Sequence, residues 1–181
     1  MQRFCQMAEA SDKRLPGEEA MEFQFVWTNG SEEAFARFYR VTEAYYSAVG
    51  GGEENRKQFI PYNLSAAVED VLLVYCGDTP VACSGLKMYA ADTAEVKRVW
   101  VEPAFRRKHL AERMMRALEE KAREAGYHRM ILQTREIMKD AVSLYTGLGY
   151  RRIANYPPYD QLEGAVCFEK ILSVSSAPRH G

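Results

Sequence analysis

The 181-residue chain reads as one α+β domain built on a single mixed sheet. Three observations predict this class. Two apolar runs, Val71–Cys76 and Val81–Tyr89, flank the turn-forming Gly77-Asp78-Thr79-Pro80 and so predict an antiparallel β-hairpin. Later in the chain, apolar runs alternate with stretches of helical period, the order that sets strands side by side through helical crossovers. Composition adds that a core can form: 47% apolar with 27% charged is a globular balance, and a domain of this size buries roughly 70% of its unfolded surface.

Residues 1–21 have no period of 2 or 3.6 and carry Pro16-Gly17, so they are expected to be a mobile leader. The tail 173–181 reads likewise, leaving 22–172 as the folded domain. A strand over 22–27 meets Asn29-Gly30-Ser31, where Ser31 is expected to cap a helix over 32–48 whose stripe includes Phe35, Phe38, Val41 and Tyr45. Gly50-Gly51-Gly52 stops it; a short polar helix and the Pro61-Tyr62-Asn63 turn then lead into the hairpin. The run 94–101 alternates imperfectly, and its doubling at Lys97-Arg98 predicts a bulge. A helix over 109–125 follows, with Leu110, Met114, Met115, Leu118 and Ala122 on one side and the pairs Glu112/Arg116 and Glu119/Arg123 expected on the wet side; Gly126 ends it. A strand over 130–134, a helix over 137–148 and strands over 150–154 and 165–172 complete the chain.

Several function classes are disfavoured. With 24 basic and 25 acidic side chains the formal charge is −1, far from the positive surplus of a surface built for nucleic acid. No apolar run reaches the 18 or so residues of a membrane span, so a soluble, cytoplasmic protein is expected. Cys5, Cys76, Cys83 and Cys167 stand alone, without CxxC pairs or companion histidines, which argues against structural zinc and a disulfide framework.

Charge is instead local. Residues 97–116 carry seven basic and two acidic side chains, and Arg106-Arg107-Lys108 stand immediately before a helix start. Unpaired N–H groups and the positive dipole end of that helix favour an anion, and adjacent cations deepen the preference. A basic triplet is equally a common solvated turn, so its context decides.

That context resembles the acyl-CoA-binding motif of the GCN5-related N-acetyltransferase (GNAT) superfamily, Gln/Arg-x-x-Gly-x-Gly/Ala, in Arg106-Arg-Lys-His109-Leu-Ala111. Residues 94–103 are similar to the family's central strand and Leu132-Gln-Thr-Arg135 to its next strand. Ala141-x-x-Leu144-Tyr145-x-x-Leu-Gly149-Tyr150 matches its characteristic helix end. The resemblance implies an acyl-CoA N-acyltransferase fold, a central mixed sheet with helices on both faces. It also implies acetyl-CoA as co-substrate, no metal, and direct acetyl transfer to a primary amine of a small molecule or peptide in a ternary complex. In this reading the main chain of Val99, Trp100 and Val101 pairs with the pantetheine arm. The diphosphate meets the amides of Arg107, Lys108, His109, Leu110 and Ala111, with Arg106 and Lys108 as side-chain complement. His109 replaces the usual glycine, and Met138 stands where many members carry asparagine.

The same resemblance implies Tyr145 as the general acid that protonates the departing thiolate; otherwise it is an aromatic on an apolar stripe. Glu95 matches a position from which some members deprotonate the amine, and is otherwise a solvated strand-end glutamate. The loop 155–164 holds Tyr156 and Tyr159, expected with Asp160, Glu163, Glu95 and Asp92 to attract a cationic amine, or else to cover a sheet edge. An acyl-cysteine on Cys83 has no neighbouring base in the sequence. A catalytically silent acyl-CoA-binding module is the alternative to an enzyme. A monomer and a homodimer both fit.

Overall fold

The structure is a computed structural model that describes residues 21–49, 54, 57, 59 and 68–172. The expected leader through residue 20, Gly50–Gly52, most of the polar segment, the Pro61–Asn63 turn and the tail 173–181 lie outside the described residues. Among the described residues, seven strands form one sheet in the order β1-β2-β3-β4-β5-β7-β6. They are β1 (Phe23–Thr28), β2 (Asp70–Cys76), β3 (Thr79–Ala90), β4 (Thr93–Val101), β5 (Arg129–Arg135), β6 (Arg151–Ile153) and β7 (Ala165–Ile171). Among the elements described from end to end, three are α-helices: α1 (Glu33–Val49), α2 (Leu110–Glu124) and α3 (Lys139–Gly147). Neighbouring strands are antiparallel except β4 and β5, which run parallel because α2 carries the chain from one to the other.

Helices cover both faces, each through its apolar stripe. On one face, Phe35 and Phe38 of α1 pack on Val71, Leu73, Cys83 and Trp100. On the other, Leu110 and Met114 of α2 meet Leu72, Val74 and Ala82, while Met115, Leu118 and Ala122 join Tyr145 of α3 over Val96, Leu132 and Phe168. The helix-period residues of the α2 stripe are all buried, at 2% exposure or less. Burial of each such side chain stabilises the fold by about 1.5–3 kcal/mol. Gly126, at φ +86°, turns the chain out of α2 in a backbone conformation open mainly to glycine, and the Tyr127 N–H closes the end on the Ala122 carbonyl at 2.9 Å.

The bulge forms where the doubled cations predict it. Cys83 pairs with Trp100 and Gly85 with Lys97, so β4 takes three steps where β3 takes two, and Arg98 adopts φ +55°. A side chain at every second position would otherwise turn Val99 away from α2. The extra residue restores Val99 to the apolar layer beneath α2 and sends Arg98 to α1. There its guanidinium donates to Thr42 Oγ1 at 3.0 Å, pairs with Glu43 at 2.7 Å and lies 4.2 Å over the Tyr39 ring.

Three local expectations are corrected. Ser31 does not cap α1: the Asn29 side chain accepts from the Ser31 N–H and hydroxyl, and Asn29 O accepts the Glu32 N–H, because an asparagine two residues upstream closes the turn on itself. Thr79 and Pro80 belong to β3, paired with Cys76 and Tyr75, so Gly77-Asp78 alone makes the turn. Glu119 is buried at 5% exposure, because Lys170 from β7 reaches it at 2.7 Å and supplies the charge its burial requires.

Candidate functional site

β4 and β5 pair over only four residues, Thr93–Val96 against Arg129–Leu132. Beyond Val96 the strands part, and the β5-facing edge of Lys97–Val101 has no ladder partner on β5. The opening is a cleft lined by Tyr46, Val96, Arg98, Val99, Gln133, Thr134, Arg135, Met138, Ala141 and Tyr145. The bulge contributes to it directly, since Arg98 and Val99 form part of its wall.

The basic loop stands at the mouth of the same strand. After Val101 a single 3-10 turn, Pro103–Phe105, uses the Phe105 and Arg106 N–H groups on Glu102 and Pro103 carbonyls. Arg107 and His109 then adopt φ +59° and +58°. Histidine tolerates this left-handed backbone better than most residues, which is how the chain turns here without glycine. Left-handed residues so spaced curl successive N–H groups toward one concavity, the geometry of an anion nest. No side chain caps α2, and its first backbone bond beyond the loop is Arg113 N–H to His109 O at 3.0 Å, leaving the amides of Leu110 and Ala111 without a partner inside the helix. Arg107, Lys108 and the His109 ring are exposed. Glu112, one turn in, is hydrogen-bonded by Arg116 and His109, which hold its carboxyl below the usual range.

Arg106 takes a different post from its two neighbours. Its guanidinium lies 5.0 Å over Trp100 and 5.6 Å over Tyr45, and its Nε donates to Val101 O at 3.2 Å. The stack ties the loop to β4 and α1. Trp100 is buried at 6% exposure with its indole N–H unpartnered.

Tyr145 closes one wall of the cleft, 7% exposed and packed edge-on against Tyr150 with Phe168 beside it. Burial pushes its hydroxyl well above the ordinary tyrosine range, so it holds its proton.

Glu95, Lys97, Tyr156 and Tyr159 come together on the face opposite Val96. Glu95 is buried at 4% exposure rather than solvated, because two partners meet it: the Tyr156 hydroxyl donates to its Oε1 at 3.0 Å and Lys97 Nζ lies 3.3 Å from the same oxygen. Lys97 also donates to the Tyr159 hydroxyl. Burial lowers the Lys97 ammonium below its usual value, with Glu95 opposing the shift. Burial also drives the Tyr156 and Tyr159 hydroxyls far above theirs, reinforced by Glu95. Tyr156 is half-buried against Tyr89, at 5.1 Å between ring centroids. Tyr159 is only 1% exposed, in a cluster with Phe59 and Cys167, so its ring belongs to the core and it reaches the site through Lys97. Asp92, Asp160 and Glu163 stay at the surface.

Among the polar side chains gathered here, sequence reasoning gave no site role to Tyr46, Lys97, Arg98, Gln133, Thr134 or Arg135. The doubled cations were the available signal for Lys97 and Arg98. Cys76, Cys83 and Cys167 are free thiols. The Cys83 thiol is buried, pushed far above its ordinary range, and donates to Arg98 O, so it offers no nucleophile. Among the described residues no cluster of three or more His, Cys, Asp or Glu is placed to hold a metal, and no helix is long and apolar enough to cross a membrane.

Comparison with known proteins converges on one group. The profile of the acetyltransferase (GNAT) family matches residues 31–150. The uncharacterized N-acetyltransferase YjgM of Escherichia coli is 36% identical over 63 residues, which span 35% of this chain and 38% of that protein's length. The fold is similar to that of a candidate acyl-CoA N-acyltransferase from Klebsiella pneumoniae, with a TM-score of 0.70, 23% identity, and 85% of this chain and all of that one covered. It is also similar to the PaiA N-acetyltransferase of Thermoplasma acidophilum, solved in complex with coenzyme A, at TM-score 0.65 and 15% identity, covering 83% of this chain and 99% of that one.

Proposed function

The chain belongs to the acetyltransferase (GNAT) family, and from that premise we propose that it transfers acetyl from acetyl-CoA to a primary amine, directly and within a ternary complex. One observation carries this reading: a strand edge left without a partner on β5, between Val96 and Val101, leads through the basic loop to a helix start that no side chain caps. The residues fit the co-substrate's two recognition needs. The main chain of Val99, Trp100 and Val101 supplies an open edge for an amide-bearing arm. The left-handed turn at Arg107 and His109 supplies N–H groups for a diphosphate, with Lys108 free to add charge and Arg106 fixing the loop.

When bound, acetyl-CoA supplies an activated acyl group as a thioester. Tyr145, kept protonated by burial, is the proton donor to a departing thiolate. Glu95 is the acceptor for the amine's proton, and the Tyr156 hydroxyl at 3.0 Å from it links it to the half-buried loop side. A main-chain N–H near Val99 or Trp100 answers the charge that grows on the acyl oxygen.

Calorimetric titration of acetyl-CoA into the full chain tests the reading. Saturable heat that weakens with Arg107→Ala plus Lys108→Ala is expected; absence of heat from folded protein overturns it. The pairing of Glu95 with Lys97 favours a second reading, a binding module without turnover. It predicts the same heat but no CoA thiol release across an amine panel.

A further inference from the structure

We propose that the amine acceptor carries a carboxylate, which Arg135 binds on the α1 side of the cleft; this rests on the acetyltransferase reading above. Arg135 ends β5 opposite Ala165, and Gln133 lies opposite Cys167. Residues facing one another across a ladder share a face, so Arg135 lies with Ala165 and Cys167, on the side away from α2 and from the amides assigned to the diphosphate. Its guanidinium sits 5.3 Å over the Phe59 ring, and its Nε is buried without a hydrogen-bond partner. Among the described residues it forms no ion pair.

Among the described residues the charges around it leave it uncompensated, and the cleft wall they form contains no Asp or Glu. The nearby carboxylates are committed elsewhere: Glu95 to Lys97 and Tyr156, Glu43 to Arg98, and Glu136 to Arg152 at 2.9 Å. The aromatic loop expected to draw in a bare cation therefore presents a neutralised pair, and among the described residues the net charge facing the cleft is positive. A buried donor without a partner is the feature a ligand acceptor satisfies. A guanidinium beside a ring, which offers no acceptor oxygen, keeps its N–H edge for a planar two-oxygen group. One unpaired positive charge matches a carboxylate, whereas a doubly charged phosphate would bring one negative charge too many. The acceptor is thus of the amino-acid type, with its amine toward Glu95 and its carboxylate toward Arg135.

Two measurements on the full chain decide it. In the first, CoA-saturated protein is titrated with the N-acetyl derivatives of the common L-amino acids and with the matching N-acetyl amides, which lack the charge. In the second, CoA thiol release is followed with the free amino acids and with their amides. At least one carboxylate should exceed its amide tenfold or more in both affinity and kcat/KM. Arg135→Gln should erase that ratio and Arg135→Lys should restore part of it, while acetyl-CoA affinity and thermal midpoint stay unchanged. Equal behaviour of acids and amides, or an equal loss for both in Arg135→Gln, overturns the proposal. Amide turnover without preference for the acid overturns this inference alone. Carboxylate discrimination without acetyl-CoA heat overturns the acetyltransferase reading and leaves the Arg135 subsite standing.

Discussion

Replacing Tyr145 by Phe separates a chemical role from a packing role. The ring lies 6.1 Å from Tyr150 and 6.2 Å from Phe168, and phenylalanine keeps both contacts. The fold should therefore change by no more than about 1 kcal/mol, a shift of about 2–4 °C in a chain of this size. If the hydroxyl protonates the leaving thiolate, kcat should fall by about 10²–10⁴, which is about 2.7–5.4 kcal/mol of barrier, with KM for acetyl-CoA within about twofold. The assay is thiol release at saturating acetyl-CoA with the best amine of a panel, alongside a thermal melt. Because burial raises the hydroxyl's pKa, the acid form is the one favoured in the native state. Activity should then show no loss from Tyr145 ionisation as pH rises to about 10, and the associated stability should be lost only above that value. A correctly folded Tyr145→Phe variant with kcat within threefold of the parent would refute the assignment.

Other consequences are structural. In Gly85→Ala the new β-carbon runs into Val68 Cγ1 and comes within 3.1 Å of Asp70 O, beside the bulge; denaturant melts should record a loss of about 1–3 kcal/mol. Lys170→Met leaves the buried Glu119 carboxylate, which also interacts with the Tyr150 hydroxyl, with Arg123 at 3.7 Å as its remaining ion-pair partner among the described residues, and should cost about 3–5 kcal/mol, partly recovered by the added change Glu119→Gln. Burial alone would raise the Glu169 carboxyl, but hydrogen bonds from Arg129 and Arg151 hold it below its ordinary value. Its contribution is therefore complete above about pH 4.5 and fades as pH drops through the lower native value, so Glu169→Gln should flatten the acid side of a plot of Tm against pH.

Much of this fold can be read from periodicity. The α2 stripe, the hairpin and the bulge come from local patterns, and each sits within a residue or two of its expected limits. What periodicity cannot convey is pairing across long separations. Glu119 sits at a solvent-type position by its helical spacing, and only Lys170, 51 residues later, brings it inside. Glu95 and Tyr159 are similar: a glutamate beside a lysine two residues on, and a tyrosine in a Pro-rich loop, both look like surface groups until the loop folds back over β4. The basic loop could be proposed as an anion site from sequence alone because its signal is contiguous. The unpartnered Nε of Arg135 could not be foreseen, since an unsatisfied guanidinium nitrogen is a property of everything around it.

The four-rung seam between β4 and β5 has a mechanical corollary. The sheet is in effect two plates, β1 to β4 and β5 with β7 and β6, joined by one short backbone ladder and by the apolar layer under α2 that spans both. Very few backbone bonds set the gap between the plates, so its width is governed chiefly by the side chains of that shared layer, Met115, Leu118 and Phe168 among them.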